Sequence, residues 1–208
     1  SNTLVYSDES LYRGYSDCTM RVCYSCTVNS DASFIYGDEG NTNSVTLTWK
    51  RTNSDFYDTL TDDAHVFSYA VDLTKKFSDV KFKLYNDTDG YYVRAKLIDG
   101  VYYVTEHVTE AAQATEFIPT AEGHIIIKGL EDDSYLATEL ATDTDYNLLK
   151  DDIKIVISVS DGAECANCHK LLLTATAKVN NKNVSMRADG DSENAIVPLT
   201  VVNTKGFT

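Results

Sequence analysis

The chain is short of proline, of positive charge and of long apolar stretches. It has two prolines in 208 residues, and no 3.6-residue periodicity runs far enough to build a helical bundle. No apolar run approaches the roughly 20 residues that a membrane-spanning helix needs. Lysine and arginine number 18 against 32 aspartates and glutamates, giving a net charge of −14. This charge argues against binding to nucleic acid or to an anionic membrane surface.

The usual signatures of catalysis are also missing, whereas residues typical of β-strands are abundant. We find no Ser-His-Asp spacing, Gly-rich phosphate loop or His-x-x-x-His pair. The chain has 14 tyrosines and 7 phenylalanines, and valine, isoleucine and threonine recur in short runs. We therefore predict an all-β protein. A short helical turn is expected within residues 106–116, and a hairpin is expected from the apolar runs 153–160 and 171–179.

Three polar residues stand at the ends of alternating apolar runs. Residues 67, 69, 71 and 73 are Phe, Tyr, Val and Leu, and the same period leads to Lys75. A similar run over 135–139 ends at Glu139, and one over 197–203 ends at Asn203. Alternate residues of a strand lie on one face. The spacing therefore predicts that an amine, a carboxyl group and a carboxamide all point into an apolar interior.

These three groups are the ingredients of an amide crosslink between lysine and asparagine. A lysine attacks a carbonyl only as the neutral amine, and removal from water favours the neutral forms of amines and carboxylic acids. A protonated Glu139 could hydrogen-bond the amide oxygen of Asn203, polarise that carbonyl and carry the proton while ammonia leaves. The expected product is an intramolecular isopeptide bond from Lys75 to Asn203, made once and without turnover.

The same residues have an ordinary structural interpretation. Lys75 would then be an edge-strand lysine, Glu139 a solvated carboxylate and Asn203 a turn residue. Periodicity by itself leaves both interpretations open. Lys76 is the neighbouring amine, but the alternation places it on the opposite face from Leu73.

The sequence around the three residues resembles the collagen-adhesin B-type (CnaB) domain. The family patterns G-x-I-x-I-x-G-L, Y-x-L-x-E-T and GYN are similar to GHIIIKGL at 123–130, SYLATE at 134–139 and Tyr146-Asn147. Its F-T-Y-x-V-x-V-x-K and F-x-L-Y patterns are similar to FSYAVDLTK at 67–75 and FKLY at 82–85. The last strand of Gram-positive backbone pilins, which runs into an LPxTG sortase signal, is similar to VPLTVVNTKGFT at 197–208.

The resemblance implies an Ig-like, transthyretin-like β-sandwich over residues 66–208. It makes Lys75 the nucleophile, Glu139 the catalytic acid and Asn203 the acceptor of the bond. It further implies a structural module of a cell-wall-anchored pilus shaft or surface protein, secreted and displayed on the cell surface, with sortase joining it to neighbouring pilin subunits. An adhesin domain that binds a host protein or glycan is the alternative. No cofactor, enzymatic turnover, nucleic-acid partner or membrane insertion is expected.

The first part of the chain has a different pattern. Residues 27–32 and 40–49 resemble the closing strands of the preceding pilin domain. About 50 residues are too few for an independent sandwich. We therefore predict that residues 1–52 are the closing strands of a partial, preceding β-domain, or a truncated piece that packs on residues 66–208. The polar, acidic stretch 53–65 is predicted to be a linker.

The five cysteines form two groups, with several states open to them. The first group is Cys18, Cys23 and Cys26, and the second is Cys165 and Cys168 at the predicted hairpin tip. Disulfides with one cysteine left over suit an extracellular protein, and free thiols suit an anaerobic habitat. The pairs Cys23/Cys26 and Cys165/Cys168 also have the spacing of zinc ligands. Residues 165–169 match the Cys-x-x-Cys-His haem signature, although a hairpin tip offers a haem no apolar pocket.

Overall fold

The computed structural model describes residues 33–50, 53–76, 79–160, 162–163 and 173–206. Over these residues the chain is all-β, as predicted, with a single 3₁₀ turn at Ala111–Gln113 inside the predicted helical turn. No helix of the described residues has the length and apolar character to cross a membrane. The described strands are β1 (Gly37–Lys50), β2 (Tyr57–Thr74), β3 (Lys81–Asn86), β4 (Tyr91–Ile98), β5 (Val101–Val108), β6 (His124–Leu130), β7 (Ser134–Ala141), β8 (Ile153–Val159), β9 (Ala175–Val179), β10 (Lys182–Val184), β11 (Arg187–Asp189) and β12 (Ser192–Thr200).

The strands form one mixed sheet that encloses an apolar core. Its order is β10-β9-β8-β7-β3-β4-β5-β6-β2-β12-β11, and β1 pairs with β2 outside this path. Val71 of β2 and Ile125 of β6 belong to the same buried cluster as Phe82 of β3 and Ile155 of β8. Strands far apart in the sheet order therefore contact one another across the interior. The predicted Ig-like β-sandwich is confirmed.

The period-2 patterns of the sequence are visible in the burial of the strands. In β6, Ile125 and Ile127 are buried while their neighbours are half-buried. In β7, Tyr135, Ala137 and Glu139 are buried in the same alternation. The predicted hairpin near the chain's end also forms, since β8 and β9 pair antiparallel.

The parallel pairing of β2 with β12 matters most for the candidate site. Leu73 lies opposite Leu199, and Thr74 lies opposite Thr200. Because parallel strands end at the same edge of a sheet, the residues that follow β2 and β12 emerge side by side. The Val201 N–H donates to the Thr74 carbonyl at 3.0 Å and extends this contact past the end of β12.

The first described residues differ from the predicted division of the chain. The sequence predicts a linker over 53–65, and in the structure residues 57–65 form the first half of β2. Residues 41–50 of β1 pair with residues 57–66 of β2 in an unbroken antiparallel register. The residues of this half of β2 are polar because it is largely exposed, and polar residues of this kind also make up linkers. Pairing with β1 nevertheless satisfies its backbone groups, which no local pattern of sequence reveals.

The base of this hairpin is attached to the sandwich through β12. The Glu39 N–H donates to the Ser192 hydroxyl at 2.9 Å, and the Asn194 amide donates to Asp38 at 2.8 Å. A Cβ on Gly37 would meet Ala195 at 2.7 Å, so the two backbones approach as closely as a glycine allows. The start of β1 is therefore fixed against β12, whereas residues 42–49 of β1 are exposed.

Candidate functional site

Lys75 follows β2 directly and is one of the largest fully buried side chains among the described residues, with 1% of its surface exposed. Its backbone N–H donates to the Gly123 carbonyl at 2.7 Å. Gly123 has φ +86, and a Cβ at this position would overlap the carbonyl oxygen of Lys75. The turn before β6 therefore positions the backbone from which the Lys75 side chain enters the core.

Glu139 lies at the centre of the site and contacts both of the other predicted residues. Its side chain is fully buried. The Lys75 Nζ donates to Oε1 at 3.3 Å, and the Asn203 Nδ2 donates to Oε2 at 2.6 Å. The backbone N–H of Leu149 also donates to Oε2, at 2.8 Å. One carboxyl group thus bridges the amine and the carboxamide.

Asn203 lies just beyond β12 and is buried, with its amide held in one orientation. Besides Glu139 Oε2, its Nδ2 contacts the backbone carbonyl of Asn147 at 2.7 Å. Its Oδ1 is buried and has no hydrogen-bond partner within the described part of the chain. The amide nitrogen therefore donates two hydrogen bonds, whereas the amide oxygen is buried and accepts none from the described residues.

Burial contradicts the ordinary structural interpretation of the three residues. Lys75, Glu139 and Asn203 are all buried, so the interpretation as an edge lysine, a solvated carboxylate and a turn residue is wrong. Lys76 is exposed, as its opposite face predicts. One contact differs from the expected chemistry, because Glu139 lies against the amide nitrogen of Asn203 and not against its oxygen.

A buried amine beside a buried carboxyl group is an electrostatically costly arrangement. Removing two charges from water costs several kcal/mol per ion, and their attraction offsets this cost only with good geometry. Moving one proton across the 3.3 Å contact between Nζ and Oε1 converts the ion pair into a neutral amine and a neutral acid. Glu139 is therefore placed to take a proton from the amine, as nucleophilic attack by a lysine requires.

Sequence reasoning missed the backbone groups of the site. The Asn147 carbonyl and the Leu149 N–H belong to the loop between β7 and β8, and each contacts one of the predicted side chains. Tyr146-Asn147 was recognisable as part of a motif. A backbone group carries no residue identity, however, so no residue pattern marks this loop as part of the site.

Among the described residues, one group of side chains has the types and the spacing that could hold a metal ion. Asp89, Glu131 and Asp133 bring carboxylate oxygens close together, with Asp89 and Glu131 exposed. The Asn86 amide already donates to Asp133 at 2.8 Å. Exposed carboxylates of this kind are common on an acidic surface. The predicted cysteine sites, Cys18, Cys23, Cys26, Cys165 and Cys168, lie outside the described residues.

Known proteins were compared with the chain by sequence and by structure. No protein-family model and no curated protein matches it. Among solved structures, the pilus 2b backbone protein of group B streptococcus is 23% identical with a TM-score of 0.49, over 79% of this chain and 50% of that one. The T6 backbone pilin of serotype M6 Streptococcus pyogenes is 11% identical with a TM-score of 0.45, over 84% of this chain and 45% of that one. The shaft pilin SpaA of Lactobacillus rhamnosus GG is 16% identical with a TM-score of 0.39, over 76% and 60%.

The chain is similar to Gram-positive pilins. The resemblance predicted from the motifs is thus confirmed as a likeness in structure, at low sequence identity. The chain spans about half the length of the pilins that it matches.

Proposed function

We propose that Lys75 and Asn203 form an intramolecular isopeptide bond and that Glu139 moves the protons for it. The observation that carries this proposal is the double contact of Glu139, with Lys75 on one carboxyl oxygen and Asn203 on the other. Burial of all three side chains supports it, because it keeps bulk water away from the reacting groups. The resemblance to CnaB domains selects the same three residues.

The reaction balances with the groups present in the site. The Nζ ammonium of Lys75 gives one proton to Glu139 and becomes a neutral amine. As Nζ attacks Cγ of Asn203, the carboxyl group of Glu139 gives its proton to Nδ2 and takes a second proton from Nζ. The Nζ–Cγ bond forms, the Cγ–Nδ2 bond breaks, ammonia leaves, and one proton remains on Glu139.

The bond suits a structural module that carries tension. We propose a secreted pilus-shaft or wall-anchored surface domain whose partners are neighbouring pilin subunits joined by sortase. The bond would bridge ~130 residues, and closing a loop of that length stabilises a folded chain by roughly 5 kcal/mol in the chain-entropy model. It would also connect the strand that opens the sandwich, β2, with the segment that follows the last strand, β12.

The test is the intact mass of the purified chain with and without the proposed acid. We expect the wild-type chain to lack the mass of one ammonia and to yield a branched peptide joining Lys75 to Asn203. Glu139→Gln keeps the size of the side chain but removes its acid, and should retain the full mass. Lys76→Ala is the matched control, since it removes the exposed neighbouring amine and should leave the bond intact.

The outcomes separate the parts of the proposal. A full wild-type mass would overturn the crosslink and with it the proposed shaft role. A Glu139→Gln chain that still loses ammonia would leave the bond in place and overturn the role of Glu139.

We further propose that residues 33–50 belong with the preceding sequence to another β-domain, as the sequence predicts for 1–52. One face of the hairpin carries four exposed apolar residues, which are Val45, Leu47 and Trp49 of β1 and Leu60 of β2. Contiguous apolar faces of this kind usually mark a surface that another element covers. We propose that the rest of this β-domain covers the face.

A further inference from the structure

Two acceptors converge on the amide nitrogen of Asn203. Glu139 Oε2 lies 2.6 Å from Nδ2, and the backbone carbonyl of Asn147 lies 2.7 Å from it. A backbone carbonyl can only accept a hydrogen bond. The terminal atom of residue 203 that faces Asn147 must therefore be a donor, which an amide nitrogen is and an ionised carboxylate oxygen is not.

The Asn147 carbonyl is held in place by the segment that carries Asn203. The Asn147 N–H donates to the Thr204 carbonyl at 2.9 Å, and the Gly206 N–H donates to the Asp145 carbonyl at 2.7 Å. An isolated bridge also pairs Tyr146 with Lys205. These contacts hold the chain before the carbonyl, and the bond from the Leu149 N–H to Glu139 Oε2 holds the chain after it, so the carbonyl cannot easily turn away from an unsuitable side chain.

The two acceptors both contact the nitrogen of the Asn203 amide, and its oxygen contacts no donor. Asn203 Oδ1 is buried and unpartnered in the described structure. An amide that turned over would place Oδ1 against the Asn147 carbonyl, oxygen against oxygen. The nitrogen is thus held beside Glu139. Through this one hydrogen bond, the carboxyl group can supply the proton that the nitrogen needs in order to leave as ammonia.

We infer that the backbone carbonyl of Asn147 is a positioning group that makes the crosslink selective for asparagine over aspartate at residue 203. This inference rests on the proposed isopeptide bond. With Asn203, the carbonyl orients Nδ2 as the leaving group. With aspartate, an ionised carboxylate would place an oxygen between the Asn147 carbonyl and Glu139 Oε2, and the loss of water would require an additional proton on that oxygen.

The experiment weakens this one carbonyl and follows the crosslink over time. Leu148 is replaced by its α-hydroxy acid analogue through stop-codon suppression in cell-free synthesis, because an ester carbonyl at Asn147 is a poorer acceptor than an amide carbonyl. The same replacement at Lys150 controls for an ester in the loop. Both are made in the full chain with Asn203 and with Asn203→Asp. Intact mass then reports loss of ammonia or of water, and circular dichroism reports the fold.

We expect the ester at 148 to slow crosslinking of the Asn203 chain by roughly ten-fold, the effect of losing about one well-placed hydrogen bond. The ester at 150 should leave the rate unchanged. Asn203→Asp should fold and crosslink at least roughly ten-fold more slowly than the wild type, and the ester at 148 should not slow it further.

Two results would overturn the inference while leaving the isopeptide bond itself intact. One is an unchanged rate for the Asn203 chain with the ester at 148. The other is an Asn203→Asp chain that loses water as fast as the wild type loses ammonia. If the wild-type chain forms no crosslink at all, the proposed function fails first and the selectivity fails with it.

Discussion

At the residue scale, Lys75 depends on a glycine that lies 48 positions further along the chain. Gly123 accepts a hydrogen bond from the Lys75 N–H at 2.7 Å and has φ +86. Its missing side chain leaves room for the carbonyl oxygen of Lys75. The burial of the lysine therefore rests on the shape of the turn before β6 as much as on the apolar run that precedes Lys75.

Gly123→Ala should lower the free energy of unfolding and reduce the yield of crosslink. Positive φ costs an alanine about 1–2 kcal/mol, and the overlap with Lys75 adds to this cost. Urea unfolding in a Glu139→Gln background, where the proposed bond does not hold the chain, measures the loss. Crosslink yield is measured by intact mass in the Glu139-containing chain.

Gly190→Ala is the matched control for that substitution. Gly190 has φ +59 but meets nothing within 4 Å of an added Cβ. It therefore reports the backbone strain without the overlap, and it lies in the turn between β11 and β12. Equal losses of stability for the two variants would contradict the proposed close contact at Lys75.

At the element scale, the hairpin formed by residues 41–50 of β1 and 57–66 of β2 is largely exposed. Leu47 and Leu60 lie directly opposite each other in the register, and they are 52% and 61% exposed. Asp58 and Asp62 occupy the same face, so it is apolar at its centre and acidic beside it. The opposite face carries Thr46 and Thr61, whose hydroxyls contact each other at 3.1 Å. This division is typical of a strand pair with one face in an interior.

Deleting residues 1–32 should expose this face and increase the binding of an apolar fluorescent dye relative to the full chain. The physical reason is the removal of the preceding sequence, with which we propose that the hairpin forms a β-domain. In the shortened chain, Leu47→Thr with Trp49→Thr should reduce dye binding again. Substituting threonines on the opposite face, as in Thr46→Ser with Thr48→Ser, is the control. Dye binding that is the same for the full and shortened chains would contradict the proposed covering of this face.

At the scale of the whole molecule, the parallel arrangement of β2 and β12 determines where tension would travel. A force that enters at the start of β2 runs along this strand to Lys75. The proposed bond would transfer it directly to Asn203, from which the chain continues outward. The residues between 75 and 203 form the remainder of the sandwich and would lie in a closed loop that bears no load.

Stretching single molecules from near residue 57 and residue 206 should reveal this bypass. With the bond, the extension should show no step from residues 76–202. With Glu139→Gln, unfolding should release those residues and lengthen the chain by roughly 400 Å, at about 3.4 Å per extended residue. Lys76→Ala should behave as the wild type does. A wild-type chain that lengthens by the same amount as Glu139→Gln would contradict the load path.

Much of the fold and three side chains of the site were predictable because the relevant signal is local. Alternation in β6, β7 and β12 identifies the inward face of each strand from a few neighbouring residues. The same alternation places Lys75, Glu139 and Asn203 on inward faces. The first half of β2 was not predictable in this way, because its pairing with β1 and not its own composition makes it a strand.

The sequence by itself therefore determined that the protein is all-β and that an amine, a carboxyl group and a carboxamide each continue the period of an alternating apolar run. Only the tertiary structure decided that the three meet, because the parallel pairing of β2 and β12 is a contact between residues more than a hundred positions apart. It also decided which atom of Asn203 faces Glu139. That choice depends on the carbonyl of Asn147 and the N–H of Leu149, backbone groups that every residue carries and that only folding can place.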